Sequence, residues 1–368
     1  MSKSNNKYRF IISGGGTGGH IFPAIAIANG LKARFPQAQF LFVGAEGRME
    51  MEKVPHAGYE IVGLPIMGLQ RRFTFQNLLL PFKLFKSLWI AKKVVKSFKP
   101  DIAIGVGGYA SAPLLKKAES LNVPCLIQEQ NSYAGLTNKW LAKKAKTICV
   151  AYDHMENYFP EEKIVKTGNP VRSDIIENKI NQNEARISFG LEGDKKTLLI
   201  VGGSLGALTI NESIEGMLPE FEKHNMQVVW QTGKYFCKRA KLAAEGYRNV
   251  SVNEFIHTMD KAYASADIVI SRAGALSISE LCLVGKPTIL IPSPNVSEDH
   301  QTKNAMALVE KDAAMLVKDV EAREQLSVTL FDLCKNEKKQ KELGENIIKL
   351  GFTDATNRIV AEIEKLLR

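Results

Sequence analysis

Residues 14–20 read Gly-Gly-Gly-Thr-Gly-Gly-His, directly after a short apolar run. Glycines let a backbone come close to a phosphate or a sugar, and a helix N-terminus behind them favours negative charge. The segment contains G-x-G-x-x-G at Gly14, Gly16 and Gly19, a pattern also found in dinucleotide-binding turns. That fingerprint needs an acidic residue where the second strand ends. Here the second run ends Phe42-Val43-Gly44-Ala45-Glu46, so the carboxylate comes late. His20 closes the segment. An imidazole beside a ligand can act as general base on a hydroxyl, or it can only cap and hydrogen-bond the turn. A second glycine turn, Gly202-Gly203-Ser204, ends a later apolar run, and residues 272–280 read Arg-Ala-Gly-Ala-Leu-Ser-Ile-Ser-Glu. Backbone N–H groups at such a strand-to-helix turn can meet an anionic diphosphate. A carboxylate such as Glu280 can accept two ribose hydroxyls.

The elements that must hold these residues follow a repeated pattern of strand, glycine turn and helix. Strands are predicted at Tyr8–Ser13, Gln39–Gly44, Asp101–Val106, Val123–Gln128 and Thr147–Val150, with a helix over Ile21–Arg34. The scheme restarts at Lys196–Val201, a near-continuous apolar run of the kind buried parallel strands show. A helix over Ala207–Met217 and strands at Gln227–Gln231, Val250–Asn253, Ile268–Ser271 and Thr288–Pro292 continue it. Strands alternating with helices give parallel βαβ units. The fold class is therefore α/β, with two doubly wound domains that each open on a glycine turn. The boundary is expected near Thr167–Pro170, giving domains 1–168 and 169–350. A terminal helix within 351–368 is expected to pack back on the first domain. Ligands of open α/β sheets sit at the carboxyl ends of strands, so the two sets of turns are expected to face a shared cleft.

Eight segments together resemble the MurG glycosyltransferase family: Gly14–Pro23, Gly105–Ala110, Gln128–Leu141, Gly168–Arg172, Val201–Ala207, Glu254–Ile256, Arg272–Glu280 and Asp299–Ala305. They run nearly end to end and in order. The resemblance implies a GT-B fold, two Rossmann-like domains with an interdomain cleft. It implies inverting transfer of GlcNAc from UDP-GlcNAc to the 4-hydroxyl of MurNAc in undecaprenyl-pyrophosphoryl-MurNAc-pentapeptide, the lipid I to lipid II step of peptidoglycan synthesis. It also implies roles. Thr17, Gly18 and Gly19 lie against the donor, Asn131 contacts its GlcNAc, and Arg172 belongs to the donor site. Ser204 bonds the diphosphate and Ile256 offers its backbone to the uracil. Ala275, Leu276, Ser277, Ile278, Ser279 and Glu280 wrap the nucleotide. Gln301 holds the sugar hydroxyls together with His300. Two positions depart from the family's usual glutamine, Leu205 and His300, and both bear on donor contacts more than on reaction type.

The charge is uneven. Residues 1–170 carry 23 Lys and Arg against 11 Asp and Glu, a net +12, whereas the rest carries 26 against 28, a net −2. An anionic partner is expected on the first half. Residues 61–100 hold eight Lys or Arg and no acid, interleaved with aromatics. Leu78, Phe82, Phe85 and Trp89 recur at helical spacing, with Pro81 marking a possible helix start. Such a stretch suits the headgroup region of an anionic leaflet. The alternative is a buried apolar face under solvated lysines. No nucleic-acid motif accompanies the charge. No run of about 18 uncharged apolar residues exists, and the first apolar run is too short for a leader, so the expected location is the cytoplasmic face of the membrane, peripherally bound. Five scattered cysteines fit reduced thiols. There is no D-x-D signature and no set of ligands at metal spacing, so neither a catalytic metal nor a cofactor is expected.

The mechanism expected is a single displacement with His20 as base. Glu129 and Tyr109 are weaker candidates on the acceptor side. A UDP-sugar epimerase shares fold and donor but needs no basic aromatic surface. A nicotinamide dehydrogenase would leave residues 272–280 unexplained. A non-catalytic membrane protein would keep only the basic surface.

Overall fold

Nearly continuous apolar runs such as Phe10–Ile12 and Leu198–Val201 have no polar face to give to water, so both faces of their strands must be covered. The computed structural model, which describes residues 7–68, 80–176, 180–203 and 205–367, meets that demand in two compact units. One comprises Met1–Val171 with Asp354–Arg368, the other Arg172–Thr353.

The first unit holds a seven-stranded parallel sheet. Its strands are β1 (Arg9–Ser13), β2 (Gln39–Ala45), β3 (Glu60–Leu64), β4 (Ile102–Gly105), β5 (Cys125–Glu129), β6 (Thr147–Val150) and β7 (Ile164–Lys166). They lie in the order β3-β2-β1-β4-β5-β6-β7. Side chains of β1 alternate between two apolar clusters. Phe10 and Ile12 enter one, with Ile21, Ile27 and Leu31 of the helix Gly18–Arg34. Ile11 enters the other, with Val95, Leu114 and Leu141 from the helices Leu80–Phe98, Ser111–Ser120 and Leu136–Leu141. The chain's last helix, Ala355–Leu366, buries Ile359 and Ile363 in the first of these clusters. It lies against Gly18–Arg34, where Arg34 Nη2 meets Glu364 Oε1 at 3.1 Å.

The second unit holds a six-stranded parallel sheet of β8 (Thr197–Val201), β9 (Gln227–Gln231), β10 (Val250–Asn253), β11 (Ile268–Ser271), β12 (Thr288–Leu290) and β13 (Met315–Leu316). Their order is β10-β9-β8-β11-β12-β13. Leu198, Ile200, Trp230 and Ile270 anchor its core cluster. The buried Trp230 Nε1 donates to Asn211 Oδ1 at 3.0 Å, which satisfies its one polar atom.

Both sheets reverse their winding once, between β1 and β4 and between β8 and β11. In such sheets the crevice for a ligand opens there, beyond the carboxyl ends of the strands. Three strands were not anticipated from sequence. β3, β7 and β13 are short or edge strands whose residues are mostly half-buried, so their apolar signal is weak.

The five cysteines are free thiols, and burial pushes Cys125 and Cys282 up to about 12, far from a reactive thiolate. Among the described residues no helix is long and apolar enough to cross a membrane.

Replacing the fully buried Ile363 by Ala removes about three carbons from the first unit's core. It is expected to cost about 2–5 kcal/mol of that unit's stability. Urea unfolding should show the loss, with m unchanged if the native core stays otherwise intact.

Candidate active site

The first glycine turn leaves β1, and the turn Val106-Gly107-Gly108-Tyr109 leaves the neighbouring β4. The two backbones lie almost in contact. Gly108 has φ +80, and a Cβ there would fall 2.3 Å from the carbonyl oxygen of Gly15. Ser111 ties the turns from below, donating to Ser13 O at 2.9 Å and Gly107 O at 2.8 Å. Glu50, fully buried, holds the first turn from the other side. Its Oε2 accepts from Gly16 N and its Oε1 from Ala45 N, both at 3.0 Å.

The helix behind the turn begins at Gly18, three residues earlier than the apolar pattern suggests. His20 thus lies in the first helical turn, with its N–H donating to Thr17 O at 3.1 Å. Its ring Nδ1 is 2.8 Å from Gln130 Oε1. Gly107 (φ +95) makes room for the ring, since a Cβ there would stand 2.9 Å from His20 Cε1. His20 and Asn131, beside Gln130, therefore share one corner of the first unit. Asn131 donates through N and Nδ2 to Glu129 Oε1 at 3.1 and 3.2 Å. Gly135 N and Asn138 Nδ2 donate to Glu129 Oε2 at 3.1 and 2.9 Å. Glu129 thus spends its carboxylate folding the loop that carries Asn131, and no acceptor-side proton transfer is assigned to it. Tyr109 packs beside Gly16, and burial raises its phenol above the ordinary value despite the nearby Arg48.

The second unit solves the same problem with other residues. A Cβ on Gly206 would stand 2.0 Å from Thr232 O, so the turns after β8 and β9 also touch through backbone. Gln231 joins them to the Ile256 segment, its Nε2 donating to Gly203 O at 3.1 Å and its Oε1 accepting from Ile256 N at 3.0 Å. The expectation for Ile256 is thereby narrowed: its N–H is committed to Gln231, so a base could use only its carbonyl. Ser204 lies outside the described residues, and its neighbour Leu205 is 71% exposed.

The helix Ala275–Val284 starts beside β11, with Gly274 as extended N-cap. Ala275 and Ile278 are buried in the fold, so only their backbone is available to a ligand; Leu276, Ser277, Ser279 and Glu280 are half-buried. Ser279 Oγ donates to Ala275 O at 3.0 Å. Glu280 Oε2 accepts from Tyr263 at 2.9 Å. Burial, then the Glu280 charge, raises the Tyr263 phenol well above its ordinary range, so it stays a donor. Arg172 reaches His257 O at 3.3 Å. Gln301 turns its Oε1 to Ser293 N at 2.9 Å, and His300 precedes it at the helix start. Sequence reasoning missed Glu50, Gln130, Gln231 and Tyr263. Only Gln130 falls inside a quoted motif, and each acts through contacts distant in sequence.

On the helix Leu80–Phe98 the buried stripe is Ser87, Ala91 and Val95. Phe82, Phe85 and Trp89 are 76%, 75% and 52% exposed, so they are not the core face. Lys93 Nζ stands 3.5 Å from the Trp89 ring centroid, a cation–π contact. Leu78 lies outside the described residues.

Residues 10–150 match the family model described as the glycosyltransferase family 28 N-terminal domain, and residues 197–359 match that of the C-terminal domain. A protein of Parabacteroides distasonis is 57% identical over 98% of this chain and 99% of its own. One of Cytophaga hutchinsonii is 56% identical over 98% and 97%. Both are named UDP-N-acetylglucosamine–N-acetylmuramyl-(pentapeptide) pyrophosphoryl-undecaprenol N-acetylglucosamine transferase. Among solved structures, Acinetobacter baumannii MurG superposes with a TM-score of 0.78 at 31% identity, covering 98% of this chain and all of that one. A UDP-GlcNAc 2-epimerase from Neisseria meningitidis gives 0.69 at 15% identity over 98% of this chain and all of that one, a likeness of fold alone.

Proposed function

The chain belongs to glycosyltransferase family 28, in its MurG branch, and on that premise we propose that it moves N-acetylglucosamine from UDP-N-acetylglucosamine to N-acetylmuramyl-pentapeptide on pyrophosphoryl-undecaprenol. The observation that carries this is likeness above half identity, over nearly the whole chain, to relatives named for that reaction. The shared fold of an epimerase carries no comparable weight at 15% identity.

In this reading residues 1–168 receive the acceptor and the membrane, and residues 169–350 hold the nucleotide sugar. The acceptor 4-hydroxyl attacks the anomeric carbon and inverts it. His20 takes the hydroxyl proton as the new bond forms, and the bond to the UDP oxygen breaks. The arrangement that supports His20 is its Nδ1 contact with Gln130, which leaves Nε2 to face a substrate. Thr17, Gly18 and Gly19 lie against the donor and Asn131 holds its sugar. Arg172 and Ser204 meet the diphosphate, as do amides at the start of the Ala275–Val284 helix, where N–H groups and the helix dipole favour negative charge. Ile256 receives the uracil through its carbonyl. Glu280, kept in place by Tyr263, accepts from the ribose. Gln301 and His300 hold sugar hydroxyls. Leu205 offers no side-chain amide where the family's glutamine stands, so the diphosphate loses one donor there.

The exposed Phe82, Phe85 and Trp89, ringed by Lys83, Lys86, Lys92 and Lys93, suit the headgroup layer of an anionic leaflet. In this reading the enzyme binds the cytoplasmic face peripherally, a reading the exposed aromatic and basic surface supports.

His20→Ala is expected to lower transfer on the order of 10²–10⁴-fold while leaving UDP affinity nearly unchanged. Turnover close to that of the unaltered enzyme would remove His20 as base. Exchanging Phe82 and Trp89 for Ser should weaken binding to vesicles containing anionic lipid, read by co-sedimentation. Undiminished binding would locate the membrane contact elsewhere.

A further inference from the structure

Behind His20 lies a chain of three side-chain amides, Gln130, Gln128 and Asn169, each at most 2% exposed. An amide can face either way, so the network decides its orientation. Gln130 Nε2 is surrounded by acceptors: Val106 O at 2.8 Å, Gln128 O at 3.0 Å and Gln128 Oε1. Two of these are backbone carbonyls, which can only accept. Gln128 is held in turn, its Nε2 donating to Asn169 Oδ1 at 2.8 Å, which leaves its Oε1 as the acceptor. Asn169 is anchored by donating Nδ2 to Gln130 O at 2.9 Å. Turning the Gln130 amide over would set its oxygen against three oxygens in a buried place. Its Oε1 must therefore point at His20.

An acceptor at 2.8 Å from Nδ1 requires a proton on Nδ1. We propose that Gln130 is a positioning residue that holds His20 in the Nδ1–H tautomer, with the lone pair on Nε2. This rests on the reading of His20 as the base. When Nε2 takes the acceptor proton, the ring becomes an imidazolium with N–H at both nitrogens. The Nδ1–H···Oε1 bond persists and now stabilises the charge, so one hydrogen bond serves the ring before and after transfer. Other titratable groups around this corner have their own partners. Glu50 accepts from the amides of Gly16 and Ala45, Glu129 accepts from the Asn131–Asn138 loop, and Tyr109 stands beside Arg48. The role also accounts for Asn169 of the Gly168–Arg172 motif, which anchors the far end of the chain.

The test is nitrogen-15 NMR of the full-length protein with labelled histidine, the His20 signals assigned by their loss in His20→Ala. At a pH where the ring is neutral, the coupling pattern is expected to show Nδ1–H. An Nε2–H pattern overturns the proposal, whatever His20→Ala does to activity. In Gln130→Met the two tautomers should mix, and kcat should fall on the order of tenfold with KM for UDP-GlcNAc unchanged. A folded variant with an unmixed tautomer and an unchanged kcat also overturns it. If instead the Nδ1–H tautomer is found while His20→Ala keeps its turnover, the positioning stands and the assignment of the base falls.

Discussion

Two turns at the switch point of the first sheet meet with no side chain between them, and the rest of that corner depends on this contact. The carbonyl of Gly15 occupies the space where a Cβ of Gly108 would be. Because backbone meets backbone, the helix Gly18–Arg34 can start close to the strand ends, and His20 arrives in its first turn. The polar backbone groups of the turns find partners within the protein: Glu50 accepts from Gly16 N, and Ser111 donates to the carbonyls of Ser13 and Gly107. Removing the Glu50 carboxylate would take the side-chain acceptor from the amides of Gly16 and Ala45, a larger loss than one hydrogen bond ordinarily contributes.

The second unit meets the same constraint with different residues. There the carbonyl of Thr232 fills the place of a Gly206 Cβ, and Gln231 spans from the Gly203 carbonyl to the Ile256 amide. One buried amide thereby couples the glycine turn after β8 to the segment that carries Ile256. The two units share an architecture but divide the chemistry. The hydrogen-bonded His20 and Gln130 lie in the first, and the paired Tyr263 and Glu280 lie in the second.

Much of this was legible in the sequence, for identifiable reasons. Strands buried on both faces, such as Leu198–Val201, must be apolar throughout, and glycines must stand where backbones touch. The edge strands β3 and β7 of the first sheet were not legible, because they are half solvated and lack a continuous apolar run. Glu50 reads as an ordinary helix-start carboxylate; only the fold brings Gly16 to it. Gln128 and Gln130 were visible as part of a motif, but their orientation follows from Val106 and Asn169, which lie 24 and 39 residues from Gln130. The aromatic spacing on Leu80–Phe98 was visible too. Whether those rings face core or solvent was decided by the stripe Ser87, Ala91 and Val95, which is the face the helix buries.

The central claim is group transfer, and its most direct test is to supply UDP-GlcNAc with a short-chain analogue of the lipid-linked muramyl-pentapeptide and weigh the product. The account predicts an acceptor heavier by one N-acetylhexosamine, inverted at the anomeric carbon, with UDP released in equal amount. Conversion of UDP-GlcNAc to an epimer with the acceptor unchanged, or no reaction with either compound, would contradict it.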